Sequence, residues 1–350
     1  MTGKYMAYVG SYSYTGKAKG ITVYDVDVEA GKFIYRCEVE VDNSSYLKSS
    51  QNGKILYSIA DEGVVAFRVL PNGSLARLNS AKIKGMRGCH LSTSKADDYI
   101  FISGFHDGKI TVLHLNEDGS VGDIADGVFH KGLGSVAERS FRPHVSCSRL
   151  TPDERFLMVA DLGIDQIKVY RFDHKDGKIT LVDTIRCELE SAPKYFMFSS
   201  DGRFFYVLYE MKNMIEVYSY KEGERVPIVE KIQTIPSTGS KPNQLTAACA
   251  MHLSPDEKHL FCSNAGDNTV SMYDRDDETG MLTMRFCLPI SGDYPKDIAI
   301  FPDGKHLASI NHEGSISFFK IDYEKGLLVM SDRSIKVNEP NCCEIVKIGD

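Results

Sequence analysis

Short apolar runs separated by turn residues recur along the chain. The stretch Asp293 to Asn311, DYPKDIAIFPDGKHLASIN, shows the unit most clearly. Its flanks Ile298-Ala-Ile and Leu307-Ala-Ser-Ile have the length and apolar character of buried strands. Pro302 pre-sets the backbone for a tight turn between them, and Asp303 and Gly304 tolerate the conformations that follow. Close relatives of this hairpin are RLTPDERFLMVAD (Arg149 to Asp161), FMFSSDGRFFYVLYE (Phe196 to Glu210) and MHLSPDEKHLFCSN (Met251 to Asn264). Looser ones are YLKSSQNGKILYS (Tyr46 to Ser58) and HLSTSKADDYIFIS (His90 to Ser103). Each is followed by a third strand, as in GKITVLHL, DQIKVYRFD or NTVSMYDRD. A seventh such strand, KGITVYDVD (Lys19 to Asp27), lacks its own opening strand.

Counting four residues back from each turn gives equivalent head positions at Tyr46, His90, Cys147, Tyr195, Ala250 and Asp297, separated by 44, 57, 48, 55 and 47 residues. One more step lands near Glu344, in NCCEIVKIGD. Seven units of about fifty residues, each with several short strands, predict an all-β, seven-bladed β-propeller. The C-terminal strand should complete the blade begun by the N-terminal strands MAYVGSYS, KGITVYDVD and GKFIYRCEVEV. The repeat runs end to end, so residues 1–350 are expected to form a single domain.

Composition alters this picture little. Twenty-nine glycines suit a chain with many hairpins. No apolar stretch approaches a membrane span, and MTGKYMAYVG lacks the basic start and apolar run of a signal peptide. The nine cysteines are scattered without a Cys-x-x-Cys pair; free thiols in a cytoplasmic protein are the simplest reading. A net charge of −7 without a basic run speaks against nucleic acid as a partner.

In a propeller the heads of the inner strands gather around one mouth of the central channel. Ser45-Tyr46, Cys89-His90, Ser146-Cys147, Lys194-Tyr195, Cys249-Ala250 and Lys296-Asp297 therefore become neighbours, with Arg142 and His144 just upstream of the third pair. A basic mouth on an acidic protein concentrates a small anionic substrate, a carboxylate or a phosphate ester. The plainer alternatives are rim lysines reaching water, histidines packed beneath the channel, and small thiols filling a crowded ring centre. The histidine spacing shows no metal motif, and neither a Gly-x-Ser-x-Gly elbow nor a phosphate loop is present, so neither metal nor cofactor is expected.

The segments YVGSYS, SYLKSSQNGKILYS, CHLSTS, RPHVSCSRLTPDERFLMVADLGIDQIKVYRFD, APKYFMFSSDGRFFYVLYE, AACAMHLSPDEKHLFCSN and YPKDIAIFPDGKHLASIN together resemble the lactonase family of seven-bladed propellers. That family includes propeller-type 6-phosphogluconolactonases and fungal carboxy-muconate cycloisomerases. The resemblance places the family's Gly-Pro-Arg-His head on Ala192-Pro193-Lys194-Tyr195 and its Trp-Pro-Arg-Asp head on Tyr294-Pro295-Lys296-Asp297. Its Asn-Glu step falls on Tyr209-Glu210 and its His-Pro-His-Ser segment on Arg142-Pro143-His144-Val145. In Ala248-Cys249-Ala250-Met251-His252 the family's glutamate is replaced by Ala250. Two arginines have become lysines, which keeps charge but loses the planar fork that grips a carboxylate bidentately.

The head register and the resemblance together point to Glu210, His144, Lys194 and Lys296 as catalytic residues, and to His90, Tyr46, Arg142, Tyr195 and His252 as substrate-binding ones. Lactone hydrolysis would use Glu210 or His144 to activate water while the lysines hold the substrate anion and the oxyanion. Cycloisomerisation or elimination would use the same cations while Glu210 or a histidine moves a proton at carbon. A non-catalytic binding propeller is the third reading. The adjacent pair Lys296-Asp297 is expected to split, with Lys296 facing the channel and Asp297 tied to a neighbouring blade.

Overall fold

A computed structural model describes residues 3–134, 141–239, 242–243 and 245–349. The described residues form seven four-stranded antiparallel sheets and no helix. The inner strands of blades 1 to 6 are Leu47–Ser49, His90–Thr93, Val145–Leu150, Pro193–Phe198, Ala247–Leu253 and Pro295–Ile300. Blade 7 closes the ring as expected: its inner strand Pro340–Ile348 pairs with Lys4–Ser11, which continues to Gly20–Asp27 and Lys32–Glu40.

Both faces of every blade are covered by its neighbours, which explains why the second strands read as unbroken apolar runs rather than alternating ones. Phe156–Asp161, Phe204–Tyr209 and His306–Asn311 are buried at every position. The core is divided into seven clusters, one at each blade–blade interface. Between blades 3 and 4, for instance, Phe156, Met158 and Val169 meet Phe196, Phe205 and Tyr218. The outermost strands come nearest to alternating, as Val121–Phe129 does, because one of their faces meets water.

The repeated turn carries a second regularity. Its left-handed position is filled by Gly53, Asp97, Glu154, Gly202, Glu257 and Gly304, all at φ between 54 and 70°. Left-handed backbone costs a non-glycine residue about 1–2 kcal/mol, and the three acidic residues recover it through one contact. Asp97 Oδ2 accepts the Gln51 N–H at 2.8 Å, Glu154 Oε1 the Lys95 N–H at 2.6 Å, and Glu257 Oε2 the Ser200 N–H at 3.0 Å. Each acid thus clamps the turn of the preceding blade on the face opposite the inner-strand heads.

Candidate active site at the channel mouth

The inner strands begin with a shared irregularity. Pairing jumps from Val145 to Cys147, from Pro193 to Tyr195, from Ala248 to Ala250 and from Pro295 to Asp297; in blade 7 it jumps from Pro340 to Cys342. Ser146, Lys194, Cys249, Lys296 and Asn341 are therefore the extra residues of five equivalent β-bulges. A bulge frees one side chain from the alternation of the strand and re-aims it. In this ring it delivers five side chains to one mouth. The seventh head is accordingly Cys342, two residues before the Glu344 that spacing alone suggested.

The bulged residues do two different jobs. Ser146 Oγ donates to Pro193 O at 2.8 Å, and Ser45 Oγ to Gly88 O at 3.1 Å, stitching one head to the next. Cys89 Sγ lies 3.4 Å from Val145 O in the same manner. Burial raises the thiols of Cys89 and Cys249, which keeps them protonated and suits packing rather than nucleophilic attack. The two lysines, in contrast, are only half-buried and carry polar partners.

Lys194 Nζ forms an ion pair with Glu210, whose side chain is only 6% exposed. Glu210 stands at the end of the second strand of blade 4, and its backbone bonds both neighbouring heads: its N–H donates to Ala192 O at 2.9 Å, and its carbonyl accepts the Ala248 N–H at 3.4 Å. Burial opposes the charge on Lys194, but Glu210 more than offsets this, and the ammonium is held well above its ordinary range. Lys212, the other cation near in sequence, turns away to Glu188.

Lys296 behaves differently. Its Nζ donates to Asn341 Oδ1 at 2.8 Å and sits 4.9 Å from the centre of the Tyr12 ring. Burial and the Lys194 charge lower its pKa to about 8. Beside the Lys194–Glu210 pair the mouth therefore sets two cations of unequal basicity.

Further along the inner strands lies an aromatic chain. Ring centres run from Tyr46 to His90 at 4.7 Å, His90 to Tyr195 at 5.7 Å and Tyr195 to His252 at 6.3 Å. His90 is fully enclosed, with Nε2 3.6 Å from Cys147 Sγ, and burial drives its pKa well down, so it stays neutral. Arg149 lies over the Tyr195 ring at 5.0 Å, bonds its hydroxyl and donates to Phe196 O at 2.9 Å. Sequence reading passed over Arg149, although it sits two residues beyond the Cys147 head and hence on the same strand face.

Asp297 is consumed by structure. Oδ2 accepts the Cys343 N–H of blade 7 at 2.9 Å, while Oδ1 accepts the Ile298 N–H at 2.8 Å and faces His252 Nε2 at 2.9 Å. Asp297→Ala is expected to lower stability in urea unfolding by about 1–3 kcal/mol, the cost of stranding a buried donor, with little change in KM of the folded fraction. A changed KM at unchanged stability would place Asp297 in the site instead.

His144 is anchored against blade 2. Its Nδ1 lies 2.6 Å from Phe105 O, its ring stacks on Phe105 at 4.4 Å, and its N–H donates to Asp161 Oδ1 at 2.8 Å. Arg142, exposed, rests against Phe141 at 5.6 Å. Both belong to the blade 2–3 side of the mouth. Tyr12, Arg87, Asn341 and His312 join the site without having been singled out in the sequence. Of these only Asn341 was within reach, by carrying the bulge register into blade 7. Among the described residues no three His, Cys, Asp or Glu side chains are grouped to hold a metal ion.

Comparison with known proteins agrees with this architecture. The 6-phosphogluconolactonase of Bacillus subtilis (strain 168) is 27% identical over 353 residues, covering 98% of this chain and 99% of that protein. A candidate 6-phosphogluconolactonase from Bacteroides fragilis, solved as a crystal structure, superposes with a TM-score of 0.90 at 30% identity, covering 99% of this chain and 98% of that one. The periplasmic gluconolactonase of Pseudomonas aeruginosa superposes equally well, at 0.90, with 24% identity over 99% of this chain and all of that one, a likeness that bears on the fold alone. Residues 6–345 match the family described as lactonase, 7-bladed beta-propeller, and the chain belongs to it.

Proposed function

We propose that the protein hydrolyses the ring ester of an anionic sugar lactone at the channel mouth. Family membership supports lactone hydrolysis in general. The observation that carries the reading to this site is the Lys194–Glu210 ion pair beside Lys296. Glu210, kept charged by Lys194, takes a proton from water as its oxygen bonds to the lactone carbonyl carbon. The negative charge that develops on the carbonyl oxygen is met by the Lys296 ammonium. The tetrahedral intermediate then collapses, the ring C–O bond breaks, and the departing alkoxide recovers the proton from Glu210.

The test is a panel of substrates: aldonolactones with and without a phosphate, and muconates with and without an extra carboxylate. Hydrolysis of an aldonolactone well above its spontaneous rate, with the muconates inert, is the expected result. Conversion of a muconate to its lactone, with aldonolactones untouched, would reassign the same residues to cycloisomerisation.

A further inference from the structure

Lys194 and Lys296 are point charges, yet a third cation with a planar fork stands close by. Arg87 lies over the Tyr12 ring with Cζ 4.9 Å from its centre, the same separation as Lys296 Nζ from that ring. The two charged groups can be no farther apart than twice that distance, a span comparable to the length of a six-carbon sugar phosphate. Arg87 is not loosely held. Its Nη1 donates to Asp61 Oδ1 at 2.9 Å, and Asp61 in turn receives both Asn43 Nδ2 contacts at 3.0 and 2.9 Å. Asn43 Oδ1 accepts the Ser13 and Tyr14 N–H groups at 2.8 and 3.0 Å, fixing the loop that carries Tyr12.

Among the described residues Arg87 forms this one hydrogen bond, through Nη1, which leaves its other guanidinium donors without a protein acceptor there. Its side chain is 24% exposed, neither sealed in the core nor free in solvent. Burial, Arg87 and His144 each lower the pKa of His106, and burial and Lys296 lower that of His312, whose ring stands edge-on to Tyr12 at 5.9 Å. The acids around Arg87 and Tyr12 are Asp61, already bonded to Arg87 and Asn43, Asp107, which accepts the Met86 N–H at 2.8 Å, and Glu313 and Glu339, whose charges act on His312. A cationic rim with an oriented, partly unspent fork is suited to a phosphate monoester, which arginine binds through two parallel bonds.

Resting on the lactonase reading, we propose that Arg87, stacked on Tyr12 and braced by Asp61, binds the phosphate at the far end of a phosphorylated aldonolactone while Glu210 and Lys296 act on the ring carbonyl. Arg87 is then the residue that selects the phosphorylated substrate.

Two measurements test this. In the first, kcat/KM for a phosphorylated aldonolactone is divided by that for its unphosphorylated counterpart, in the wild type and in Arg87→Ala and Arg87→Lys. Arg87→Ala should reduce this ratio by at least ~10-fold, the scale of one charge-assisted hydrogen bond, and Arg87→Lys should restore part of it. An unchanged ratio in a folded variant, or an equal fall on both substrates, overturns the assignment. In the second, calorimetry compares 6-phosphogluconate with gluconate as non-reacting probes. Tighter binding of the phosphorylated acid by the wild type, lost in Arg87→Ala, is expected whatever the turnover. A wild type that hydrolyses no lactone yet shows this discrimination would sink the lactonase reading and keep the phosphate site. A wild type that hydrolyses lactones but binds both acids alike would do the reverse.

Discussion

Glu210→Gln should lower kcat by at least ~100-fold, the usual contribution of a positioned general base. The substitution preserves the shape of the side chain and its ability to accept from Lys194, so it removes chiefly the negative charge. That charge has two functions in this geometry. It takes the proton from water, and it holds Lys194 as an ammonium against the burial that opposes it. Glu210→Asp, which retains the charge but withdraws it from the mouth, should fall between wild type and Gln. Thermal unfolding separates the chemical role from a structural one. Removing one partner of a buried pair is costly because it leaves the other charge uncompensated, but the Lys194 side chain is 31% exposed and can be rehydrated. A folded Glu210→Gln protein with near-normal turnover would mean that the carboxylate is only the counter-ion of Lys194.

Sequence and structure part company at a definable level. The ring, its seven units and its closure were legible because they depend on local signals: turn residues at fixed offsets and apolar runs of strand length. Even where Glu154 and Glu257 replace the turn glycine, the flanking Pro-Asp and the strand pattern kept the register, and the structure shows what the acids do there. The heads were legible for the same reason. The bulges were not, since nothing in Pro-Lys-Tyr or Pro-Lys-Asp marks an extra residue. Simple alternation nevertheless separates Lys296 from Asp297, while the bulge is what turns Lys194, Cys249, Lys296 and Asn341 towards a common centre.

Loops carried the largest surprise. Tyr12 lies at the end of the second strand of blade 7 and Arg87 in the segment entering blade 2, with 74 residues between them in sequence and one aromatic face in space. Neither has a periodic signature. His144, which occupies a motif position, is drawn instead onto Phe105, because an imidazole beside an aromatic ring and a backbone carbonyl satisfies both its face and its Nδ1.

Activity should depend on pH through Lys296, and the direction identifies its role. With a folded-state pKa of about 8 against an ordinary 10.5, Lys296 is an ammonium below pH 8 and an amine above it. If the ammonium binds the substrate anion or the oxyanion, kcat/KM falls as pH rises through about 8. Stability changes the opposite way. Between pH 8 and about 10.5 the unfolded chain holds a proton that the folded site has released, so the contribution of this lysine to folding becomes more favourable as pH rises. Falling activity with undiminished stability in that window therefore cannot be loss of fold. Lys296→Ala should lower kcat/KM by about 10- to 100-fold at pH 7, chiefly through kcat, matching the 1.5–3 kcal/mol of a charge-assisted hydrogen bond made to the developing oxyanion. Lys296→Arg keeps the charge at every accessible pH, so the limb near pH 8 should vanish while activity survives below it. The opposite pattern, kcat/KM climbing through pH 8 and Lys296→Arg inactive, would make the neutral amine the base and leave Glu210 as the group that tunes it.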